Sequence, residues 1–445
     1  MTLVDLTAPA VRSSRLDGLP VVIIGAGLIG LAAAAHLIER GIQFEIYETG
    51  DASGHTVAQW AHIRFFSPWK MLVDTAAARL LAETRWTVPD DKKLPTGGQF
   101  LDEYLAPLAA LDSIRPHIHY GVAVTDVSRE GMDRTRSAGR ADTPFLLRIQ
   151  DAEGVQEVTA RAVIDASGTY LTSNSLASSG LAPLGLPAVV EHVSHALPDV
   201  VGRERDRFAG KRVTVVGAGH SAANTLLNLA ALKREVPETQ ITWLIRNASA
   251  VRVTTSDDDQ LIERAAIGNR VDRLIATGAI QQLDRFEILR LAPISGGVRL
   301  IGQRAGELVE QDTDVVVNAT GFRPNLDMLR EIRLELDDIV EAPARLAPLI
   351  DPNIHSCGTV EPHGFAELQQ PEPNFFLAGM KSYGRAPTFL LATGYEQVRS
   401  ITAYLAGDIA SATNVQLVLP ATGVCSSGAS GASGESGASD SSCCS

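Results

Sequence analysis

Residues 21–39 read VVIIGAGLIGLAAAAHLIE, and this stretch decides the fold of the first part of the chain. The apolar run at residues 20–24 is typical of a strand that is buried on both faces of a parallel sheet. The Ala- and Leu-rich stretch Leu28–Glu39 predicts a helix, and Phe44–Glu48 predicts a second strand. This β–α–β order predicts a right-handed crossover unit.

The turn between the first strand and the helix, GAGLIG, fits the pattern G-x-G-x-x-G. In this pattern Gly25 permits a tight turn, Gly27 lets the backbone approach a pyrophosphate, and Gly30 lets the helix pack on the sheet. Helix-start amides would then face the phosphates. Glu48, at the end of the second strand, is placed to accept hydrogen bonds from ribose hydroxyls. The segment therefore predicts a dinucleotide site.

A second unit of the same kind begins at Gly217, where residues 217–222 read GAGHSA with Ala222 in place of the third glycine. Strands are predicted at residues 212–216 and 241–246, with a helix at 221–232 between them. Arg246 occupies the position in the second unit that corresponds to Glu48 in the first. A guanidinium suits a 2′-phosphate, whereas a carboxylate suits a free 2′-hydroxyl. The second site is therefore predicted to prefer NADPH over NADH.

Composition limits the classes of function. The chain has 445 residues and a formal net charge of −13, so we expect no basic face for nucleic acid and no binding to an anionic membrane. The apolar stretch near the start contains three glycines and a histidine, so we expect neither a membrane span nor a signal peptide. Four cysteines do not make a disulfide scaffold, which fits a cytoplasmic protein.

The predicted fold is α/β, with two doubly wound parallel-sheet (Rossmann-like) dinucleotide-binding domains, each followed by a β-meander. The expected divisions are a flexible leader at residues 1–19, a first domain at 20–200 plus 315–408, a second domain inserted at 205–314, and a disordered Gly/Ser tail at 420–445. The tail carries the vicinal pair Cys443 and Cys444.

With both glycine turns in view, the chain resembles the two-dinucleotide-binding-domain flavoproteins, in particular the flavin-containing (class B) monooxygenases. The resemblance covers residues 20–405. It rests on GAGLIG with Glu48, on GAGHSA with Arg246, on ATGFRP at residues 319–324, and on FFLAGM at residues 375–380.

The resemblance implies which residues hold each cofactor. The residues implied for FAD are Gly25, Gly27, Gly30, Glu48, Val124 and Gly379. The residues implied for NADPH are Gly217, Gly219, Ser221 and Arg246. It also implies an order of chemistry, in which NADPH gives a hydride to FAD and O2 is then activated as a C4a-(hydro)peroxyflavin. The product would be an oxygenated small soft nucleophile or ketone.

Three cationic side chains are candidates for a catalytic role beside the flavin. Arg64 lies in residues 59–70, QWAHIRFFSPWK, where Trp60 and its aromatic neighbours would form a water-poor wall over the ring. Lys381 and Arg385 precede the last predicted helix, whose start would stabilise negative charge on reduced flavin. The alternatives are a loop that only packs on a subdomain and ordinary surface charges.

Two other functions stay open at this point. One is an NADPH-dependent flavoprotein reductase whose acceptor is a thiol, a soft metal or metalloid, or a quinone, with Cys443 and Cys444 carrying electrons. The other is a flavin or soft-metal binding sensor. The ten histidines are scattered and none has metal-ligand spacing, so we expect no metal site. His62, His195 and His220 are possible proton donors. The oligomeric state is open.

Overall fold

The structure, a computed structural model, describes residues 14–250, 262–351, 362–387 and 389–417. Its strands, in chain order, are β1 Val21–Ile24, β2 Phe44–Glu48, β3 Ile118–Tyr120, β4 Ala123–Arg129, β5 Phe145–Gln150, β6 Val155–Ala160, β7 Ala162–Asp165, β8 Val193–Ser194, β9 Arg212–Val216, β10 Gln240–Leu244, β11 Gln281–Leu283, β12 Phe286–Ile294, β13 Gly297–Arg304, β14 Glu307–Thr313, β15 Val315–Asn318 and β16 Phe375–Leu377.

The α-helices of the described residues are mostly short, and the long ones pack on the two parallel sheets. They are α1 Leu28–Glu39, α2 His55–Ala58, α3 Thr75–Ala82, α4 Gly97–Phe100, α5 Ala106–Ala109, α6 Arg205–Phe208, α7 His220–Glu235, α8 Ile262–Ala276, α9 Ala347–Ile350, α10 Phe365–Leu368, α11 Leu391–Leu405 and α12 Ile409–Thr413. Between α4 and α5 the chain forms one π-helical stretch, Leu101–Leu105.

The first parallel sheet has the strand order β16-β7-β1-β2-β3. Its central strand β1 is fully buried and pairs with β2 and β7 in parallel register. Helix α1 packs on one face, where Ala32–Ala35 are inaccessible to solvent and let α11 approach closely. Since all these strands run in parallel, the residues that follow them meet at one carboxyl edge.

The second parallel sheet has the strand order β11-β10-β9-β15-β8. Strand β9 lies at its centre, between β10 and β15. Strands β8 and β15 lie outside residues 205–314 but pair within this second sheet. Such pairing joins strands more than a hundred residues apart, so it is not visible as a local sequence pattern. The predicted domain boundaries themselves stay a prediction.

Each parallel sheet carries an antiparallel three-stranded sheet, as predicted. The first is β4-β5-β6 and the second is β12-β13-β14. Strands β5 and β6 have 6 residues each, whereas β12, β13 and β14 have 9, 8 and 7 residues. These sheets bury the faces of the parallel sheets that the helices leave uncovered.

The two chain segments that run between the units are hydrogen-bonded to each other. Asn174 N donates to the Gly321 carbonyl at 2.9 Å, and Arg323 N donates to the Thr172 carbonyl at 3.0 Å. These bonds flank an antiparallel bridge between Ser173 and Phe322. We call this pair of segments, residues 172–174 and 321–323, the strap.

A buried charge cluster fixes the segment that leads into β16. The Glu372 carboxylate accepts hydrogen bonds from Arg129 at 2.8 Å and from Arg140 at 2.8–3.0 Å, and its side chain is wholly buried. Burial by itself would raise the pKa of Glu372, but the hydrogen bonds from Arg140 and Arg129 outweigh it and hold the pKa below its usual range. We call these three residues the arginine clamp.

Candidate functional site

The first glycine turn is built so that two of its glycines are required by packing. Gly25 has φ +98°, and a Cβ there would lie 3.1 Å from the Ala166 carbonyl oxygen, at the end of β7. A Cβ on Gly30 would lie 1.9 Å from the carbonyl oxygen of Gly25. The absence of side chains at these two positions lets α1 pack closely on the carboxyl edge of the first sheet, which is the packing that the pattern predicts.

Gly27 differs, since no atom lies within 4 Å of the position that its Cβ would take. Its φ of −83° is open to any residue, so neither packing nor backbone conformation calls for glycine here. The open face at the N-terminus of α1 is the room that a pyrophosphate needs. The turn therefore fits a dinucleotide.

Glu48 lies at the end of β2 and is tied to the same turn. Its Oε2 accepts a hydrogen bond from Ala26 N at 2.7 Å, and its Oε1 accepts one from Gly50 N at 2.8 Å. Oε1 also accepts a hydrogen bond from the Thr49 hydroxyl at 3.4 Å, whereas Oε2 keeps capacity for a second one, since each carboxylate oxygen can accept two. The predicted bond to a ribose hydroxyl stays a prediction, and the structure adds that Glu48 holds the glycine turn itself.

Two other residues implied for the first cofactor lie at this edge. Gly379 follows β16 with φ +68°, and a Cβ there would lie 2.7 Å from Cγ1 of Ile29 in α1. Its amide donates to Oε1 of the buried Gln397 at 2.8 Å, a partner that sequence reasoning missed. Val124 lies in β4, whose first residue is Ala123. The preceding residue, Val122, donates from its backbone N to the Glu48 carbonyl at 2.9 Å.

The predicted cationic residues have protein partners. Lys381 is not a surface charge: it is 1% exposed and its Nζ donates to Oδ2 of Asp165 at 2.6 Å. Arg385 lies partly exposed and forms an ion pair with Glu341 at 2.8 Å. Arg64 donates from Nη1 to the carbonyl of Leu94.

The second glycine turn repeats the design of the first. Gly217 has φ +132°, and a Cβ there would lie 2.1 Å from the carbonyl oxygen of Ala319, just after β15. Gly219 again faces open space, and its φ is −105°. Ala222, in the first turn of α7, is buried and occupies the position of the third glycine of the pattern. Ser221 precedes it. A residue that sequence reasoning missed, Trp243 in β10, donates from Nε1 to the Gly217 carbonyl at 2.7 Å.

Arg246 lies two residues beyond the end of β10, since the strand stops at Leu244. Its side chain is exposed, and Nη1 lies 3.4 Å from the carbonyl oxygen of Ser178. Arg246 therefore follows the carboxyl end of β10, at the same edge of the second sheet from which the second glycine turn starts, and it is exposed to solvent.

The aromatic loop (residues 59–70) lies between the two units. Trp60 packs edge-on to Phe65 and covers Gly97, where a Cβ would lie 2.9 Å from the indole. The ring of Phe66 lies 5.5 Å from that of His220, the first residue of α7. The loop thus packs on its own subdomain and also reaches the second glycine turn.

A cavity of about 630 Å³ opens beside this loop. Its walls come from both units: Arg64, Phe65, Phe66 and Trp69 from the aromatic loop, Lys93 and Gln99 from the next segment, and Asn224, Leu227 and Ile267 from α7 and α8. Neither glycine turn contributes to its lining. The cavity is therefore a cleft between the units and is distinct from the two cofactor turns.

Three of the histidines singled out in the sequence lie where the units meet. Burial lowers the pKa of His62, whose Nε2 has no hydrogen-bond partner within the described ranges, so the ring is neutral at neutral pH. His195 packs on Tyr170 and Phe322 with ring centroids 4.6 and 5.6 Å away. Burial raises the pKa of Tyr170 to about 12, which keeps its phenol protonated.

Other predictions fall outside the described ranges. The Cys357 position, the tail with Cys443 and Cys444, and most of the leader belong to them. Within residues 14–250, 262–351, 362–387 and 389–417, no three His, Cys, Asp or Glu side chains are grouped as metal ligands would be. No helix in these ranges has the length and apolar character that a membrane crossing requires.

Curated proteins that the chain matches in sequence are named as monooxygenases. The chain is 28% identical over 325 residues to indole-3-pyruvate monooxygenase YUCCA6 of Arabidopsis thaliana, a match that covers 72% of this chain and 67% of that protein. Other curated relatives from the same plant and from Homo sapiens are matched over less than half of their own length.

Solved structures share the architecture at lower identity. Bacillithiol disulfide reductase Bdr (YpdA) from Bacillus cereus has a TM-score of 0.65 at 19% identity, with 87% of this chain and 99% of that chain covered. The Kutzneria sp. 744 ornithine N-hydroxylase KtzI, solved with reduced FAD, NADP+ and L-ornithine, has a TM-score of 0.59 at 16% identity, with 88% and 98% covered. The predicted α/β fold is confirmed.

The family of the protein follows from a match that covers most of its sequence. Residues 22–344, which contain both glycine turns and both antiparallel sheets, match the pyridine nucleotide-disulphide oxidoreductase family. The predicted relationship to two-domain flavoproteins is thereby confirmed. Because this match covers well over half of the chain, the protein belongs to the pyridine nucleotide-disulphide oxidoreductase family.

Proposed function

We propose that the protein is an FAD- and NADPH-dependent oxidoreductase, with FAD on the first glycine turn and NADPH on the second. The observation that carries the proposal is the repeated turn, in which positive φ and close packing call for glycine at Gly25 and Gly217 while Gly27 and Gly219 face open space. An acid follows the first turn and an arginine the second, which supports a free ribose hydroxyl in one site and a 2′-phosphate in the other.

The chain's own groups would bind and orient the two cofactors. The amides at the start of α1 and α7 point at the open faces of the turns and would hold a pyrophosphate in each. Glu48 holds the first turn by its bond to Ala26 N and keeps lone pairs for the ribose. The ring contact of Phe66 with His220 would hold the second turn in register with the first unit.

FAD, when bound, supplies the redox chemistry: it accepts a hydride from NADPH and passes electrons to O2 or to another acceptor. The aromatic loop would exclude water at the meeting of the units, since Phe65, Phe66 and Trp69 all line the cleft there. Burial lowers the pKa of His62 and so disfavours its protonated form, which leaves the ring as a neutral group where the units meet.

Within this class, we propose a monooxygenase that acts on a small molecule with O2. The curated relatives named above are monooxygenases, which supports this choice. The sequence also has no cysteine before Cys357, so neither parallel-sheet unit can supply the cysteine pair that a flavin disulfide reductase needs.

The second candidate is a reductase in which Cys443 and Cys444 accept the electrons. The family description and the likeness to a bacillithiol disulfide reductase favour it. Removal of residues 420–445 separates the two: a monooxygenase keeps its substrate-dependent NADPH oxidation, whereas a tail-dependent reductase loses it. A sensor that only binds flavin would show no fast flavin reduction in either form.

The decisive experiment is a spectrum followed by rapid mixing. Purified protein, reconstituted with FAD, should absorb as a flavoprotein, and anaerobic mixing with NADPH should bleach it faster than mixing with NADH. Return of the colour in air, with oxygenated product from a candidate amine, sulfide or ketone, supports the monooxygenase. Protein that stays colourless after reconstitution overturns the whole proposal.

A further inference from the structure

Lys381 and Asp165 form an ion pair that is almost completely removed from water, with side chains 1% and 0% exposed. The ammonium lies 2.6 Å from Oδ2 of Asp165 and donates to Oγ of Ser167 at 3.0 Å. Ser167 in turn donates to Oδ1 of Asp165 from its hydroxyl at 2.6 Å and from its backbone at 3.1 Å. The three residues form a closed hydrogen-bonded triad.

This triad lies directly against the first glycine turn. Asp165 is the last residue of β7, where its register partners are Ile24 of β1 and Leu377 of β16. The Cα of Ser167 lies 3.1 Å from the position that a Cβ on Gly25 would take. The ion pair therefore lies at the middle of the carboxyl edge, where the residues that follow three adjacent strands meet.

Stability alone does not explain an ion pair at this position. Removing two charges from water carries a large desolvation penalty, and their mutual attraction often does no more than offset that penalty. A lone carboxylate of Asp165 would place a negative charge beside the turn that faces the pyrophosphate. Lys381 cancels that charge at a distance of one hydrogen bond.

We propose that Lys381 is a positioning residue of the flavin site. Through Asp165 and Ser167 it holds the turn that closes on Gly25, and its charge neutralises the carboxylate that would otherwise repel a bound dinucleotide and disfavour electrons on its ring. This inference rests on the proposed function, since it requires FAD on the first turn. It differs from the expected catalytic role beside the flavin, and from the alternative of a surface charge, because the ammonium acts from within the fold through Asp165 and Ser167.

The test compares two single substitutions that leave opposite charges. Lys381→Met leaves Asp165 unpaired, so FAD binding should weaken on the order of tenfold and the flavin midpoint potential should become more negative. Asp165→Asn leaves the ammonium unpaired, so the potential should become more positive. FAD titration followed by flavin fluorescence and redox titration with a dye of known potential give these two readouts.

A purely structural role would shift the potential in the same direction in both variants or in neither, and that outcome overturns the proposal. In the double variant Lys381→Met/Asp165→Asn both charges are gone, so the potential should return close to that of the wild type. If Lys381→Met fails to fold, Lys381→Gln carries the same test, because it removes the charge and keeps a donor for Asp165.

The matched control is Glu372→Gln in the arginine clamp, which is equally buried in the same unit but bound to Arg129 and Arg140. It should lower the melting temperature without moving the potential. Wild-type protein that binds no FAD refutes the proposed function. If the wild type binds FAD, and Lys381→Met and Lys381→Gln have the same FAD affinity and flavin potential as the wild type, this inference alone is refuted.

Discussion

The phenyl ring of Phe66 lies 5.5 Å from the imidazole of His220, and this contact joins the two units beside a glycine turn. Phe66 belongs to the aromatic loop of the first unit, while His220 directly follows Gly219. The contact therefore links the second glycine turn to the first unit.

Phe66→Ala should slow anaerobic flavin reduction by NADPH about tenfold, because a nicotinamide that is held less firmly spends less time in the reactive geometry. FAD content should not change, since Phe66 does not touch the first turn. Stopped-flow absorbance gives the rate. Tyr404→Ala is the control: it removes a ring stacked 4.7 Å from Phe365 inside the first unit and should leave the rate unchanged. Equal slowing in both variants would contradict this role.

The two open glycines should separate the two cofactors. Gly27→Val fills the open face of the first turn without a clash or a strained backbone, so the variant should fold but lose FAD. Gly219→Val should keep FAD and lose reduction by NADPH. Each variant is the control for the other, and flavin content together with bleaching rate distinguishes them. Loss of flavin in Gly219→Val would show that the assignment of the turns is reversed.

Arg246→Ala should raise the dissociation constant for NADPH on the order of tenfold or more, since a hydrogen bond to a charged group contributes about 1.5–3 kcal/mol. Affinity for NADH should stay the same, because NADH has no 2′-phosphate. Arg273→Ala, at an exposed arginine of the same unit, is the control. The initial rate of flavin reduction at several concentrations of each nucleotide measures the effect. A parallel loss for both nucleotides would rule out recognition of the phosphate.

Glu372→Gln should lower the free energy of unfolding by about 3–5 kcal/mol at pH 7, because it leaves two buried guanidinium groups without their counter-charge. The pKa of Glu372 is held below its ordinary value, so the wild type gains this stability above about pH 4.3 and loses it as the pH falls through the lower folded-state pKa. The variant should therefore depend less on pH in acid.

Urea unfolding at pH 7 and pH 4 measures both effects. Glu157→Gln breaks the exposed pair with Arg148 and should change stability by less than about 1 kcal/mol. A clamp variant as stable as this control would contradict the account of the clamp.

Individual helices and strands could be predicted because the apolar pattern of each lies within a short stretch of sequence. The bounds of α1, β2 and β9 agree with the sequence prediction to the residue. Strand β10 ends at Leu244, two residues before its predicted end. The packing of α11 on α1 is not visible in a local pattern: a Cβ on Gly394 would lie 2.4 Å from Ile29.

Site residues could be predicted only where they belong to a recognisable sequence motif. The glycines and Glu48 belong to a pattern of fixed spacing, so the sequence locates them. Lys381 could not be told from a surface lysine, because its partner Asp165 is 216 residues away. The pairing of Arg385 with Glu341 is non-local for the same reason. The only local signal was a polar Asp165 at the end of an otherwise apolar strand.

The strap has a consequence for engineering. Its outgoing and returning segments lie side by side, since Ser173 and Phe322 form an antiparallel bridge. Everything between them can be regarded as a cassette with adjacent ends, and a two-residue turn is enough to join such neighbouring strands. Under the proposed cofactor assignment, the cassette of a relative with another nucleotide preference can be grafted at this point to exchange the electron donor, provided that it keeps the contact with Phe66.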